Sequence, residues 1–176
     1  MSNYKRFHNN DYKYVFFTLV TYNRIPILID NIDVLRSSFE YVLKKYPFKI
    51  YAIAILKDHI HLILQLENNN DYSEVIRLIK YYFSIHINKQ LKPSESKIKK
   101  REKGIWQRRY WEHTIRDEED LNKHLDYIHF NSYKHYKVIP KNWRYSSFNK
   151  FVQSGFYEQD WCNFGDKNNI TDLNFE

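Results

Sequence analysis

Residues 48–66, FKIYAIAILKDHIHLILQL, contain two extended apolar runs that are joined by only Lys57 and Asp58. A two-residue connection between runs of this composition is typical of an antiparallel β-hairpin. Alternate side chains of a strand project to opposite faces, so the second run places His59 and His61 on one face and aliphatic residues on the other. The hairpin therefore predicts a sheet with one core face and one face that carries two imidazoles.

The segments on both sides of the hairpin alternate between strand and helix patterns. Apolar residues at three- and four-residue spacing predict the helices, and Asp71 and Asp117 are suited to cap two of them. The predicted elements are a strand at 14–22, a helix at 31–46, the hairpin, a helix from 71 to about 90, a strand at 105–115 and a helix from 118 to about 133. This order predicts an α+β fold in which a ferredoxin-like or RRM-like antiparallel sheet packs on helices.

Length and composition restrict the class of protein further. A chain of 176 residues with 43% hydrophobic residues suits one compact domain over residues 1–176, with a C-terminal extension from about residue 137 that forms a short helix and a wrapping tail. Only 3 glycines are present, which excludes glycine-rich nucleotide loops, and the single Cys162 excludes a disulfide framework or a cysteine-based zinc site. The apolar runs are too short to span a membrane, so we expect a cytoplasmic protein.

The charge of the chain favours a polyanionic partner. The formal net charge is +7, and a predicted loop at about 89–104 concentrates basic residues, among them Lys99, Lys100 and Arg101. Clustered lysines and arginines beside aromatic rings can neutralise phosphates and stack on bases. A solvated linker that binds nothing explains this loop equally well.

The two histidines are spaced to share a cation, because residues i and i+2 of a strand lie on one face about 7 Å apart. An isolated pair more often decorates a half-exposed sheet face, so a metal site needs further ligands. The helix from residue 118 offers them, since Tyr127 and Asn131 lie one turn apart and Lys134 follows on the same stripe. An amide oxygen can complete a metal site, and a tyrosine hydroxyl beside it can attack phosphorus. Ordinary packing is the alternative for Tyr127.

Three motifs carry a resemblance to a known family: the His-x-His pair after a hydrophobic strand, the block WQRRYWEHTIRDEEDLNKHLDYIHFNSYKH at 106–135, and WRYSS at 143–147. Together they resemble the REP-associated tyrosine transposases, a branch of the HUH single-strand transposase superfamily. The resemblance spans nearly the whole chain, from residue 14 to Trp161. It implies the HUH transposase fold, which agrees with the fold predicted from the element order.

The resemblance also implies an activity and the residues that carry it. His59 and His61 would bind the metal with Asn131 as third ligand, and Tyr127 would be the nucleophile. The family cuts single-stranded DNA next to REP hairpins, so the implied reaction forms a 5′-phosphotyrosine and frees a 3′-hydroxyl. Mg²⁺ or Mn²⁺ suits such a site, although imidazole ligands also suit zinc.

Further residues near the tyrosine helix are candidates for DNA contacts. Arg108, Arg109 and Arg116 can neutralise the DNA backbone, and Lys134 can contact a phosphate or assist the tyrosine. Three aromatic residues that alternate with the arginines are candidates for base stacking, although large aromatics on a strand are more often core: Trp106, Tyr110 and Trp111.

Two other functions are compatible with the sequence. A domesticated hairpin-binding protein would keep the fold and the basic surface without cutting, but it would not need His59, His61, Tyr127 and Asn131 together. An RRM-like RNA binder would carry aromatic residues on the central strands, where this chain has histidines. We expect a monomer, with a dimer as the alternative.

Two departures from the family pattern bear on the tyrosine helix and its surroundings. The family usually has Pro before the acidic residue and His pair, and Asn-Pro-Val-Lys after the tyrosine, whereas this chain has LKDHIH and NSYKHY. Ser132 permits the helix to continue where Pro would constrain it, which would shift Lys134 and His135 relative to the site.

Overall fold

The computed structural model describes residues 12–67, 71–87 and 104–162. Its four strands are β1 (Tyr12–Val20), β2 (Phe48–Ile55), β3 (His59–Glu67) and β4 (Trp111–Thr114). Its four α-helices are α1 (Ile32–Leu43), α2 (Tyr72–His86), α3 (Glu118–Tyr136) and α4 (Phe148–Gln153), and short 3₁₀ turns lie at Tyr22–Arg24 and Pro140–Asn142. Residues 88–103, which include the predicted basic residues Lys99, Lys100 and Arg101, lie outside the described part of the chain.

The four strands form one sheet in the order β2-β3-β1-β4, and every neighbouring pair is antiparallel. Thr18 on β1 pairs with His61 on one side and with Trp111 on the other, so these three residues lie in a row across the sheet. With the helices α1 and α2 between the strands, this is the ferredoxin-like arrangement that the sequence predicts.

Helices cover both faces of the sheet. On one face, Val15, Phe17 and the aliphatic side of β3 belong to a core with α1 and α2. On the other face, Phe16 and Ile63 belong to a second core with apolar residues of α3. The histidine face of the sheet is therefore covered by α3, which excludes the alternative in which half-exposed histidines only decorate an open face.

The ends of two helices follow from local hydrogen bonds. The Asp71 carboxylate accepts from the Ser73 amide at 2.9 Å and the Asp117 carboxylate accepts from the Asp120 amide at 2.8 Å, which confirms both predicted caps. Helix α3 continues to Tyr136, beyond the predicted end near residue 133, and stops where Lys137 adopts a left-handed conformation with φ 58°. Ser132 lies inside the helix, where proline would have interrupted the hydrogen-bond pattern.

The strand predicted at 105–115 is much shorter in the structure. Only Trp111–Thr114 forms β4, and the residues before it contact the chain just after β1 through an isolated bridge between Thr21 and Trp106. The Gln107 amide still donates to the Val20 carbonyl of β1 at 2.9 Å, and the Lys80 ammonium of α2 donates to the Gln107 carbonyl at 2.7 Å, so regular pairing is interrupted between Gln107 and Trp111. The aromatic and β-branched composition that predicts a strand does not report this long-range contact.

The segment at 143–147 lies along the outer edge of β2. The Ile55 amide donates to the Tyr145 carbonyl and the Ser147 amide donates to the Ile53 carbonyl, both at 2.8 Å. The Trp143 indole donates to the Ile55 carbonyl at 2.9 Å. These bonds satisfy backbone groups that an edge strand would otherwise present to solvent or to another chain. A short helix follows, as the sequence predicts for the C-terminal extension.

Among the described residues, no helix combines the length and apolar character that crossing a membrane requires.

Candidate active site

The paired histidines lie at the start of β3, enclosed between the sheet and α3. His59 is 1% exposed and His61 is fully buried. Their ring centroids are 4.8 Å apart. A pair of imidazoles that is removed from solvent needs defined polar partners, because a buried polar group without them destabilises the fold.

Each imidazole has such a partner at Nδ1. The Asp58 carboxylate lies 2.6 Å from His59 Nδ1, and the Thr18 hydroxyl lies 2.9 Å from His61 Nδ1. Asp58 also accepts from the Arg24 guanidinium at 3.4 Å. Burial would raise the pKa of Asp58, but the hydrogen bond and charge of His59, together with Arg24, keep that pKa below its usual value. A histidine whose second nitrogen is held in this way is typical of a metal ligand.

Nε2 is thus the candidate ligand atom of each ring. The Nε2 atom of His61 has no hydrogen-bond partner among the described residues. Burial, with a further contribution from the charges of His59 and His135, holds the pKa of His61 well below its usual value of 6.5. The neutral imidazole that ligation requires is therefore the form present at neutral pH.

Helix α3 brings the predicted nucleophile to the same place. Tyr127 is 1% exposed, and its ring centroid lies 5.0 Å from that of His61. The Lys134 ammonium lies 5.2 Å from the centroid of the Tyr127 ring. The one-turn spacings on the helix predicted this grouping, and in the structure the Tyr127 ring is in contact with both an imidazole and an ammonium group.

Asn131 completes the group from the same helix. Its side chain is fully buried, and its amide nitrogen donates to the Tyr127 carbonyl at 2.6 Å. This bond fixes the amide, and Oδ1 has no hydrogen-bond partner within the described ranges. Because a buried carbonyl oxygen of this kind is costly unless something binds it, Asn131 Oδ1 fits a cation ligand. Two imidazole nitrogens and an amide oxygen are ligand types that suit a divalent metal.

A second cluster of histidines with an aspartate was missed from the sequence. One ligand atom each from His113, Asp120 and His124 lies within 4.8 Å of the others, so this group also has the spacing of a metal site. The Asp120 carboxylate already accepts from His113 Nε2 at 2.7 Å and from the Arg116 amide at 3.0 Å. We interpret the cluster as a connection between β4 and α3. The i, i+4 spacing of Asp120 and His124 was the signal that could have found it.

The predicted DNA-contacting residues differ in exposure. Arg108 and Arg109 are exposed, the Arg116 side chain is 74% exposed, and Lys134 is half-buried beside Tyr127. Of the three candidate stacking aromatics, Trp106 is 8% exposed and belongs to the core, which is the more frequent role of a large aromatic on a strand and leaves no face of it for base stacking. Tyr110 is partly buried, and Trp111 is 37% exposed.

A buried polar network ties α3 to the C-terminal segment. His129 Nε2 lies 2.9 Å from the Ser147 hydroxyl and its Nδ1 lies 3.3 Å from the Tyr157 hydroxyl, which donates to the Asp126 carboxylate at 2.8 Å. Burial lowers the pKa of His129 to about 3. Burial, and then the Asp126 charge, raise the pKa of Tyr157. The network therefore holds a neutral histidine on the helix that carries Tyr127.

We expect His129 to make the fold sensitive to acid. Its pKa is about 3 in the folded state against a usual 6.5, so between these values the unfolded chain binds one more proton and stability falls as pH falls. His129→Gln should reduce the slope of unfolding free energy against pH by about 1.4 kcal/mol per pH unit near pH 5. Urea unfolding at several pH values measures this slope, and the exposed substitution His86→Gln is the control. An unchanged slope in His129→Gln would contradict the interpretation.

Comparisons with known proteins identify the class to which this fold and site belong. Residues 8–131 match the family model described as "Transposase IS200 like", and the chain belongs to this family of transposases. Within it, the chain is similar to the REP-associated tyrosine transposases, as its motifs indicate.

Two relatives match over nearly their full length. A protein of Haemophilus influenzae that is assigned to the REP-associated tyrosine transposases is 44% identical over 165 residues, which cover 92% of this chain and 93% of the relative. The REP-associated tyrosine transposase of Escherichia coli K12 is 32% identical over 164 residues, which cover 92% of each chain.

A solved structure agrees in fold. It is described as a REP-associated tyrosine transposase bound to a REP hairpin, and it is 33% identical to this chain with a TM-score of 0.74. The match covers 99% of this chain and 96% of that one. The α+β prediction and the predicted family are both confirmed.

Proposed function

We propose that this protein is a metal-dependent endonuclease of the transposase type, which cleaves and rejoins single-stranded DNA next to REP-like hairpins. The observation that carries the proposal is the burial of Tyr127 against His61, whose Nδ1 is held by Thr18 while His59 is held by Asp58. A packing tyrosine would not require two oriented imidazoles beside it.

The chain's own residues supply the nucleophile and its surroundings. The Tyr127 oxygen forms a bond to phosphorus, the bond from phosphorus to the 3′ oxygen breaks, and the phenol proton is released while the 3′ oxygen becomes a hydroxyl. Rejoining reverses these steps, because a 3′-hydroxyl attacks the 5′-phosphotyrosine and the phenol leaves. The Lys134 ammonium, 5.2 Å from the centroid of the Tyr127 ring, attracts the phosphate.

His59, His61 and Asn131 would hold the cation, Mg²⁺ or Mn²⁺, which when bound would polarise the phosphate oxygens.

Exposed arginines on the protein's surface suit contacts with the phosphates of a DNA backbone. Arg108, Arg109 and Arg116 are exposed near α3, and hairpin DNA is bound by the similar transposase described above. A chromosomal DNA substrate implies action in the cytoplasm.

We also propose that the protein acts as a monomer with residues 1–176 as one domain. The His pair on β3 and the tyrosine on α3 come from the same chain and lie within ring-contact distance. A site that is complete within one chain does not need a partner's tyrosine.

The experiment that tests the function is intact-mass analysis of the protein after incubation with Mn²⁺ and a single-stranded hairpin oligonucleotide from its own genome. A mass increase equal to the 5′-phosphorylated product, mapped to the peptide that contains Tyr127, supports the proposal. Tight hairpin binding without any adduct would instead support the hairpin-binding protein that does not cut.

We expect Asp58→Asn to weaken metal binding about 10- to 100-fold, because a neutral amide orients His59 less firmly and makes its Nε2 less basic. Titration with Mn²⁺ under electron paramagnetic resonance measures this affinity directly. The matched control is Asp33→Asn, whose carboxylate is 90% exposed on α1. Equal Mn²⁺ affinity in Asp58→Asn and Asp33→Asn would contradict the metal assignment of His59.

A further inference from the structure

A pocket of about 270 Å³ opens on the surface beside the buried histidines. It lies where β1 meets the segment that leads into β4. Its walls include the aromatic rings of Tyr110 and Trp111, two arginines, Arg24 and Arg109, and Thr18. Aromatic faces and guanidinium groups around one small pocket are the chemistry that recognises a nucleotide, with its flat base and its phosphate.

The pocket is in direct contact with the groups that orient the histidines. Thr18 lines the pocket and also holds His61 Nδ1. Arg24 lines the pocket and also donates to Asp58, which holds His59 Nδ1. An occupant of the pocket would therefore touch the immediate partners of both imidazoles.

The sheet register gives the distance between the pocket and the candidate catalytic group. His61, Thr18 and Trp111 lie in one row on adjacent strands. Neighbouring strands are about 4.8 Å apart, so the backbone at Trp111 lies roughly 10 Å from the backbone at His61. A nucleotide in the pocket would be a near neighbour of a phosphate at Tyr127.

Trp111 is held as a rigid platform. Its ring meets Phe16 edge to face with centroids 5.4 Å apart, and Phe16 stacks on His61 at 5.9 Å. The side chain nevertheless remains 37% exposed. A fixed aromatic ring with an exposed surface loses little conformational freedom when a base stacks on it.

The arginines supply positive charge at the same place. Arg24 is held in the left-handed region with φ 51°, a conformation that is costly for a residue with a side chain. Its amide donates to the Thr21 carbonyl at 3.1 Å, and the guanidinium is 47% exposed. Arg109 is exposed and also lines the pocket. Two guanidinium groups can bind phosphate oxygens with charge-assisted hydrogen bonds.

We propose that this pocket binds one unpaired nucleotide of the substrate strand, adjacent to the phosphate that Tyr127 attacks, with its base on Trp111 and its phosphate at Arg24 and Arg109. The inference rests on the proposed function for the position of that phosphate. A base can stack on Trp111 only when it is free of its complementary strand, so the pocket selects a single-stranded flank over a continued duplex.

The test uses the full chain with Tyr127→Phe, so that no cleavage occurs. The probe is a hairpin oligonucleotide from its own genome with a single-stranded flank, in which 2-aminopurine replaces each flank base in turn. We expect one position to change its fluorescence on binding and this change to be lost in Trp111→Ala but kept in Trp111→Phe. Trp111→Ala should also weaken binding of the flanked hairpin about tenfold or more relative to a blunt hairpin.

Controls separate the pocket from general effects on folding and charge. Tyr41→Ala removes another exposed aromatic ring, which is 53% exposed on α1, and should leave the signal intact. Arg109→Gln should reduce the slope of log affinity against log salt by about 0.7, whereas Arg36→Gln on α1 should not. A fluorescence change that persists in Trp111→Ala, with an unaltered preference for the flanked hairpin, would overturn the inference.

The outcomes also distinguish the inference from the proposed function. If an adduct forms on Tyr127 but the fluorescence signal does not depend on Trp111, the inference that the pocket binds a nucleotide is wrong and the proposed endonuclease activity is supported. A Trp111-dependent signal without any adduct supports the pocket and overturns cleavage. Absence of binding to every flanked and blunt hairpin overturns both.

Discussion

Tyr127→Phe should abolish the covalent DNA adduct and reduce strand cleavage by about 10⁴-fold or more, because it removes the attacking oxygen itself. The ring of Tyr127 packs with Phe16 in the core below α3, and phenylalanine retains that packing. Hairpin affinity should therefore change little. Denaturing gel electrophoresis of a labelled oligonucleotide measures cleavage and the adduct in one assay.

Tyr133→Phe is the matched control, since Tyr133 lies on the same helix and is less buried than Tyr127. This variant should form the adduct at the rate of the unaltered protein. Cleavage that survives in Tyr127→Phe, or an adduct that maps to another tyrosine, would remove Tyr127 from the proposed role.

Combined replacement of His59 and His61 by alanine should remove divalent-metal dependence and reduce cleavage by about 10²-fold or more. The physical reason is the loss of both imidazole donors from a site in which only Asn131 would remain. Because both side chains are buried, the double substitution also leaves cavities, and a melting curve must show that the variant is folded. The gentler variant His61→Gln keeps a side chain of similar size, removes one imidazole donor and should also weaken metal binding.

The cluster of His113, Asp120 and His124 offers an alternative metal site that the same variants can test. If the metal that supports cleavage were held by His113, Asp120 and His124, then His124→Gln would lose Mn²⁺ binding and the His59 and His61 variants would retain it. We expect the reverse, because the Asp120 carboxylate is engaged by His113 and Arg116. Burial acts to raise the pKa of Asp120, but these hydrogen bonds lower it below its usual value.

The features that the sequence predicts are those that local periodicity determines. The hairpin turn at Lys57 and Asp58 and the alternation along β3 are properties of neighbouring residues, and both agree with the structure. The one-turn spacing of Tyr127 and Asn131 likewise follows from helix geometry alone. The resemblance to a family then indicated which of the chain's many tyrosines to consider.

The features that the sequence does not predict depend on contacts between distant segments. Arg24 donates to Asp58, which lies 34 positions away in the sequence. No local sequence pattern indicates that an arginine in a loop binds the carboxylate that orients His59. The segment before β4 is bonded to α2 as well as to β1, because the Lys80 ammonium donates to the Gln107 carbonyl at 2.7 Å, and a local strand pattern does not indicate such a contact. The histidines are buried because α3 packs on the face of the sheet that carries them. The alternating strand pattern predicts only that both histidines lie on the same face.

The continuation of α3 past Ser132 is predicted in part by the sequence and depends in part on a distant contact. Replacement of the family's usual proline by serine permits more helix, and the structure extends the helix to Tyr136. The Tyr136 hydroxyl then accepts a hydrogen bond from the Lys57 amide at 3.1 Å, beside the hairpin turn. The extra turn thus adds a contact between the tyrosine helix and the turn that precedes the histidines.

The pairing of residues 143–147 with the edge of β2 has a consequence for biosynthesis. The hydrogen bond between Ile53 and Ser147 joins residues 94 positions apart, so it forms only after that whole stretch has left the ribosome. The β2–β3 hairpin can form much earlier in translation, because its contacts are local. His129 meets Ser147 only when this later segment docks, so α3, the helix that carries Tyr127, gains this contact after the hairpin has formed. A nascent chain would therefore form the hairpin that carries its histidine pair before α3 gains this contact, and the proposed catalytic group would stay incomplete until residue 147 had been synthesised.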